Sequence, residues 1–309
     1  MKSCQSFYLG LLMSLLVFPL SCRQPEVINT EIGAFNIPVD SVIRTTHLYS
    51  IPITYDVSID CYFDLLDTLV HRYDSLVPYT LDEYLLVRAN PWLIDSLVAS
   101  DYYTQMERGN FVYDQLAYII LHKGDSLLVP DTLEAQQIRS RQANTIIDVN
   151  IPEYKLSIIE EDTIRYTFLV RVGRNERKYL KMAGREVSLK TTPGEGEIIR
   201  VEENPSFINP SDGKYYKVTR RDDGKVTKMP RIPWIEPELN GHRYGHLIHP
   251  TTNPETLGKA YSNGCVGVAE GAAWRIYYYA PVGTKVVFRY DLMVVNEQGD
   301  TLRLKDIYR

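Results

Sequence analysis

Two residues of this 309-residue chain stand where thiol chemistry could occur. Cys265 lies in Ser262-Asn263-Gly264-Cys265-Val266-Gly267-Val268, and His249 lies 16 residues upstream in Tyr244-Gly245-His246-Leu247-Ile248-His249-Pro250. An imidazole can take the proton of a thiol, and the thiolate is the nucleophile that attacks acyl carbon. Gly264 lets the backbone bend close to a substrate, so that the N–H of Cys265 and a neighbouring N–H can face a developing oxyanion. Taken singly, Cys265 also reads as a buried thiol on a turn and His249 as a satisfied core histidine. Ser262 either orients the loop by a side-chain hydrogen bond or is plain turn chemistry. Tyr244 and Tyr261 either line a groove or pack in the core. His246 and His249 form His-x-x-His, a zinc-like spacing, but residues three apart on a strand point to opposite faces, so neither metal nor cofactor is expected.

These residues need a framework of strands. Residues 244–252 read as a buried strand that ends at a histidine, 269–280 as a helix and 285–290 as a strand. Further β-branched and aromatic runs predict strands over 146–150, 154–159 and 164–172. The stretch 191–245 is rich in Pro, Gly and Asn, and a structureless loop of that length is uncommon, so part of it should form a hairpin or a lid over a cleft. Trp274, Tyr277 and Tyr278 recur at helical spacing and read as packing.

Upstream, Phe63, Leu65, Leu66, Leu69 and Val70 predict a helix over 60–72, with a looser one over 81–98 around Pro91 and strands over 118–129. The ending Lys123-Gly124-Asp125-Ser126-Leu127-Leu128-Val129-Pro130 faintly resembles the last strand of wall-binding LysM modules. The fold class is α+β: a β-rich domain, a mixed β-sandwich with a short helix after the cysteine loop, preceded by a smaller, mainly helical domain. A net charge of -5 gives no general attraction for nucleic acid.

The apolar run over 7–20 follows Lys2, is too short for a comfortable membrane span and has the length of a signal-peptide core. The Leu20-Ser21-Cys22 that closes it resembles a lipoprotein signal, in which the cysteine carries the lipid, although Pro19 stands where leucine is usual. Cys4 then leaves with the leader and Cys22 is acylated. Cys61, in an apolar stretch, reads as a small buried hydrophobe, which leaves Cys265 as the thiol of interest. Residues 23–46 suit a tether.

His249, the 16-residue interval, Gly258-Lys259-Ala260 within it, Ser262-x-Gly264-Cys265 and Gly283-Thr284 together resemble the L,D-transpeptidase (YkuD-type) catalytic domain. Ile147-Asp148-Val149, Tyr154-Lys155-Leu156 and Thr192-Pro193-x-Gly196 fit the same pattern. The resemblance covers 145–292, leaving 47–135 as an N-terminal domain of unassigned role and 293–309 as a C-terminal extension. It implies a peptidoglycan enzyme in which Cys265, with His249, forms an acyl-enzyme with a stem tetrapeptide. D-Ala leaves, and the acyl group passes to an amine. Gly264, Ser262 and Asn263 would support the oxyanion, with Tyr244, Tyr261, Arg243 and Arg275 on the substrate. Two departures stand out: Asn263 replaces a histidine, and Gly267 replaces the arginine, or sometimes asparagine, two residues after the cysteine. Glycine cannot pair with a carboxylate as arginine does, so Arg243 or Arg275 is the candidate source of that charge. Members lacking the arginine include hydrolytic ones, which keeps open an L,D-endopeptidase or carboxypeptidase, and a non-catalytic wall-binding lipoprotein is a further alternative. The implied protein is a monomer in the cell envelope, facing the periplasm, with stem peptides as partners and the membrane reached through its lipid.

Overall fold

A computed structural model describes residues 47–296 and 298–309. The expected leader over 1–22, with Cys4 and the lipidation position Cys22, and the tether over 23–46 lie outside the described residues. Among the described residues no helix is long and apolar enough to cross a membrane.

Five helices precede the main sheet: α1 (Ile59–Asp74), α2 (Glu83–Ala89), α3 (Pro91–Ala99), α4 (Tyr102–Glu107) and α5 (Thr132–Ala143). In α1, Tyr62, Leu65, Leu66, Leu69 and Tyr73 fall three and four residues apart and are all buried, so one apolar face seats the helix. The helix expected over 81–98 is two, because Pro91 lacks an N–H and fits only a first turn, which here opens α3. Asn90 fills the break, its amide donating to Leu86 O and Leu128 O at 2.8 and 2.9 Å. Helix α5 has no counterpart in the expectations: only Ala135, Ile138 and Gln142 are buried, too thin a stripe to read. The expected strand region over 118–129 yields Ile119–Leu121 and Ser126–Pro130, the latter antiparallel to His47–Pro52. Cys61 differs from expectation in being only half-buried.

The main sheet has eight strands, numbered along the chain: β1 (Thr145–Asn150), β2 (Lys155–Glu160), β3 (Thr163–Leu169), β4 (Gly194–Glu202), β5 (Trp234–Leu239), β6 (Ile248–Pro250), β7 (Val266–Val268) and β8 (Lys285–Arg289). Their spatial order is β7-β6-β5-β4-β8-β1-β2-β3. β6 with β7 and β8 with β1 are parallel; the other neighbours are antiparallel. The class is α+β, as the pattern of elements predicts. Between 191 and 245 the Pro and Gly content hides two complete strands, β4 and β5, paired from Gly196↔Leu239 to Glu202↔Trp234. Gly196 permits this contact, since a Cβ there would lie 1.8 Å from Glu238 O. The expected hairpin is present inside the same stretch, Val218–Arg220 against Val226–Lys228.

Helix α6 (Glu270–Tyr279) follows the cysteine loop and buries Trp274, Tyr277 and Tyr278 completely. It ties the two halves of the chain together. Glu83 Oε1 in α2 accepts from the Tyr277 and Tyr278 hydroxyls at 2.9 and 2.8 Å, and burial pushes that carboxyl up to about 7. Gly271 packs closely on α3: a Cβ there would lie 3.0 Å from Val98 O, so the facing backbone would have to give by a few tenths of an ångström.

Candidate active site

The pairing of β6 with β7 sets the geometry of the site. Ile248 lies opposite Val266, His249 opposite Gly267 and Pro250 opposite Val268. Side chains alternate along a strand, so buried Ile248, Val266 and Val268 face the core, whereas His249 and Gly267 share the other face with Cys265. That face is the floor of a cleft of about 730 Å³ lined by Cys265, His249, Arg171, Trp234, Tyr261 and Asn263 among others. The strand expected from Tyr244 to His249 is shorter, Ile248–Pro250, because Gly245 takes φ +72 and turns the chain before it.

Cys265 is the only free cysteine among the described residues and is half-buried. Its thiol donates to Gly245 O at 3.7 Å, so proton transfer to His249 requires the sulfur to rotate off that carbonyl. Burial pushes the thiol up, while the Leu247 N–H and the Arg171 guanidinium act the other way. His249 Nδ1 lies 2.8 Å from Pro250 O; Nδ1 donates there, which leaves Nε2 without a proton and able to accept one. Trp234 covers the imidazole at 5.4 Å between centroids. Desolvation first, and then the Arg171 charge, hold His249 down at about 4, so a neutral thiol and a neutral imidazole coexist at pH 7.

The turn that carries the sulfur is braced from three sides. Ser262 Oγ donates to Cys265 O at 2.6 Å and accepts from Gly264 N at 3.2 Å. Thr191 Oγ1 donates to Gly264 O at 2.8 Å, and Thr191 is in turn held by the Tyr308 hydroxyl, which accepts from its N–H at 2.9 Å. Gly264, at φ +115, lies beneath His246, whose Nδ1 would be 3.0 Å from a Cβ there. His246 Nε2 accepts from the Thr192 N–H at 3.1 Å and burial holds this imidazole at about 4, so it is a neutral brace of the turn.

Residues 144–288 match the L,D-transpeptidase catalytic domain, YkuD. Comparison with curated proteins returned no match. Among solved structures, an L,D-transpeptidase from Mycobacterium smegmatis aligns at 13% identity and TM-score 0.33 over 47% of this chain and 58% of its own. L,D-transpeptidase 3 from Mycobacterium tuberculosis, with a faropenem-derived adduct, aligns at 13% and 0.32, over 47% of this chain and 60% of its own. An L,D-transpeptidase from Xylanimonas cellulosilytica aligns at 14% and 0.35, over 77% of this chain and 97% of its own. The chain thus spans about 58% and 60% of the two mycobacterial proteins.

Within the matched residues 144–288, the arginine expected at position 267 has a physical replacement with no local sequence motif. Segment 170–172 runs beside β7, with Arg171 N–H donating to Gly267 O and Gly267 N–H to Arg171 O, both at 2.9 Å. The Arg171 side chain fills the space above Gly267, where a Cβ would meet its Nε at 2.4 Å and its Cγ at 2.7 Å. Cation and glycine are complementary, and a side chain at 267 would evict the guanidinium. Arg171 acts electrostatically on both Cys265 and His249.

Arg243 and Arg275 do not take this part. Arg243 is held by Glu236, with contacts of 2.8 to 3.0 Å, and Arg275 by Asp95 at 2.7 Å and the Tyr166 hydroxyl at 3.0 Å; neither lines the cleft. Asn263 Oδ1 accepts from Arg174 Nη2 at 2.9 Å at the cleft wall. Tyr261 is 57% exposed and lines the cleft, while Tyr244 stacks on His246 at 5.5 Å and acts as cover for the brace. The one sequence signal for Arg171 is an arginine between two valines, Val170 and Val172, both fully buried, at the end of a predicted strand.

Proposed function

We propose that the protein is a peptidoglycan L,D-transpeptidase whose nucleophile is Cys265. The observation that carries this is the placement of Cys265 and His249 on one sheet face at the floor of the cleft, within a domain of that family. His249 Nε2 takes the thiol proton as Sγ bonds to the carbonyl carbon of the third stem residue. The Gly264 N–H is occupied by Ser262 Oγ, which leaves the Cys265 N–H as the turn's donor for the oxyanion. The C–N bond breaks, the proton passes from His249 to the departing D-Ala amine, and a thioester remains. An acceptor amine then attacks that thioester, gives its proton to His249 and releases the thiol. The case for hydrolysis leaned on a site without a cation at Gly267, and Arg171 fills that space. Incubation with tetrapeptide muropeptides is expected to release D-Ala and yield cross-linked dimers with wild type and neither with Cys265→Ala. Tripeptide without dimers would replace this reading by the hydrolytic one, and identical product profiles for the two proteins would leave only wall binding.

The protein would then act as a monomeric envelope lipoprotein facing the periplasm, with residues 47–135 as a unit ahead of the catalytic residues 145–292. Support comes from the apolar run over 7–20 and the Ser21-Cys22 that follows. Labelled palmitate should enter the wild-type protein in cells and be lost from Cys22→Ser; equal labelling of both rejects the anchor.

A further inference from the structure

The Cys265 N–H follows the softest residue of the turn. Gly264 takes φ +115, a conformation that glycine adopts freely, so no side chain of its own fixes how the peptide between Gly264 and Cys265 is turned. That peptide is planar and trans, with Gly264 O and the Cys265 N–H on opposite edges, so whatever holds the oxygen aims the N–H. Thr191, buried at 1% exposure, holds it: Thr191 Oγ1 donates to Gly264 O and accepts from the Gly173 N–H, both at 2.8 Å. The Tyr308 hydroxyl closes the arrangement, accepting from the Thr191 N–H at 2.9 Å and donating to Gly173 O at 2.8 Å. The ring that carries this hydroxyl is itself fixed. It stacks on Tyr290 at 5.3 Å between centroids, the Tyr308 N–H donates to the Tyr290 hydroxyl at 3.0 Å, and Lys190 Nζ donates to Tyr308 O at 3.0 Å. Tyr308 lies beyond the matched residues 144–288.

We propose that Thr191 and Tyr308 are positioning residues for the oxyanion donor, so that the last residues of the chain are a working part of the acyl-transfer site. This rests on the acyl-transfer reading above and goes beyond it by naming what aims the Cys265 N–H. Ser262 pins the peptide that follows Cys265 from within the turn, by donating to Cys265 O. The peptide that precedes Cys265 is pinned from outside the turn, by Thr191 and, through Thr191, by Tyr308. A hydrogen bond into Gly264 O also polarises that peptide and strengthens the N–H on its other edge as a donor. Negative charge gathers on the substrate oxygen as Sγ bonds to the acyl carbon, and an N–H turned away from that oxygen stabilises it much less. When the same sulfur displaces iodide from iodoacetamide, no such charge forms on an oxygen, so alkylation reads the thiol and His249 without the donor.

The test compares acylation with alkylation of Cys265 in the full chain. Acylation is followed as nitrophenolate released when Sγ takes the acetyl group of p-nitrophenyl acetate, and separately as D-Ala released from a tetrapeptide stem; alkylation is followed with iodoacetamide. Tyr308→Phe removes the hydroxyl and keeps the stacked ring. It should lower the ester acylation rate and kcat for D-Ala release by about 10-fold, with KM and the alkylation rate each within about twofold of wild type. Thr191→Val should lower acylation by about 100-fold, whereas Thr191→Ser, which keeps the hydroxyl, should return to within about threefold of wild type. Adding Tyr308→Phe to Thr191→Val should change little further, because Tyr308 acts through Thr191. The two Thr191 variants carry the test if Tyr308→Phe does not fold. Acylation and alkylation that fall together, or that both stay at the wild-type rate, overturn the assignment. A wild-type protein that is alkylated but never acylated by the ester overturns it as well, since the turn then offers no oxyanion donor. Ester acylation without release of D-Ala counts against the transpeptidase reading alone, and the roles of Thr191 and Tyr308 are then read from the ester.

Discussion

His249→Gln is expected to lower kcat/KM for D-Ala release by about a thousandfold while leaving the protein folded. Glutamine can still donate to Pro250 O, as Nδ1 does at 2.8 Å, but offers no basic nitrogen to the thiol. Because the Cys265 thiol is pushed up by burial, it is largely protonated at neutral pH and depends on a base for its conversion to thiolate. The same variant should therefore alkylate slowly with iodoacetamide at pH 7 and recover reactivity as the pH rises. Wild-type rates that survive the substitution would show that the thiolate forms without His249.

The acid limb follows from the same imidazole. A base held at about 4 is unprotonated above that pH, so activity should persist to near pH 5 and fall as the pH drops through about 4. A base at the ordinary histidine value would already lose activity through pH 6.5. Folding has its own pH dependence, and its sign needs care. His246 and His249 are both depressed to about 4, so between pH 6.5 and 4 the unfolded chain binds protons that the folded one refuses, and stability falls as the pH falls. Glu83 is raised to about 7 and works the other way, gaining stability as the pH falls from 7 to about 4.5, which offsets one of the two histidines. A melting curve at pH 4.5 separates loss of the base from loss of the fold.

The placement of Cys265 and His249 on one cleft was legible because thiol, imidazole, turn glycine and interval all lie in one local stretch of sequence. The bracing of the turn was legible only in part, since Ser262 is two residues from Gly264 whereas Thr191 and Tyr308 reach it from distant segments. Arg171 was not legible. It is 96 positions from Gly267, and the fact that decides its role, the absence of a Cβ opposite it, is a property of pairing between segments. The strands β4 and β5 were obscured by Gly196 and Pro237, residues that usually punctuate strands but are tolerated here, Gly196 where the backbones approach closely and Pro237 beside a shift in register. Arg243 and Arg275 were chosen for charge near the motif; their carboxylate partners, Glu236 and Asp95, lie where no local rule would look.

Arg221→Met is expected to lower stability by about 3 to 5 kcal/mol, or the melting temperature by roughly 10 °C, although it touches neither thiol nor imidazole. Arg221 and Glu270 are an ion pair with side chains 0% and 1% exposed. Arg221 Nη1 donates to Glu270 Oε1, and its Nε to Thr227 Oγ1 at 2.8 Å, while Glu270 Oε2 accepts from Gln115 Nε2 at 2.8 Å and the Tyr102 N–H at 3.1 Å. One pair thus pins the 218–228 hairpin to the first turn of α6 and to the N-terminal helices. Removing either member leaves the other charge buried without compensation, so Glu270→Gln should cost a similar amount. Arg221→Met with Glu270→Met removes both charges together and should regain most of the loss. Equal destabilisation in the double variant would mean that the pair stabilises by shape and not by charge. Function should respond differently from stability. The same hairpin is tied to the loop after His249 by Thr219 Oγ1 and Thr252 Oγ1 at 3.0 Å, and Tyr216 and Met229 beside it line the cleft. A double variant that folds well therefore still loosens the wall over the nucleophile, and its KM for stem peptide should rise while the alkylation rate of Cys265 stays that of wild type.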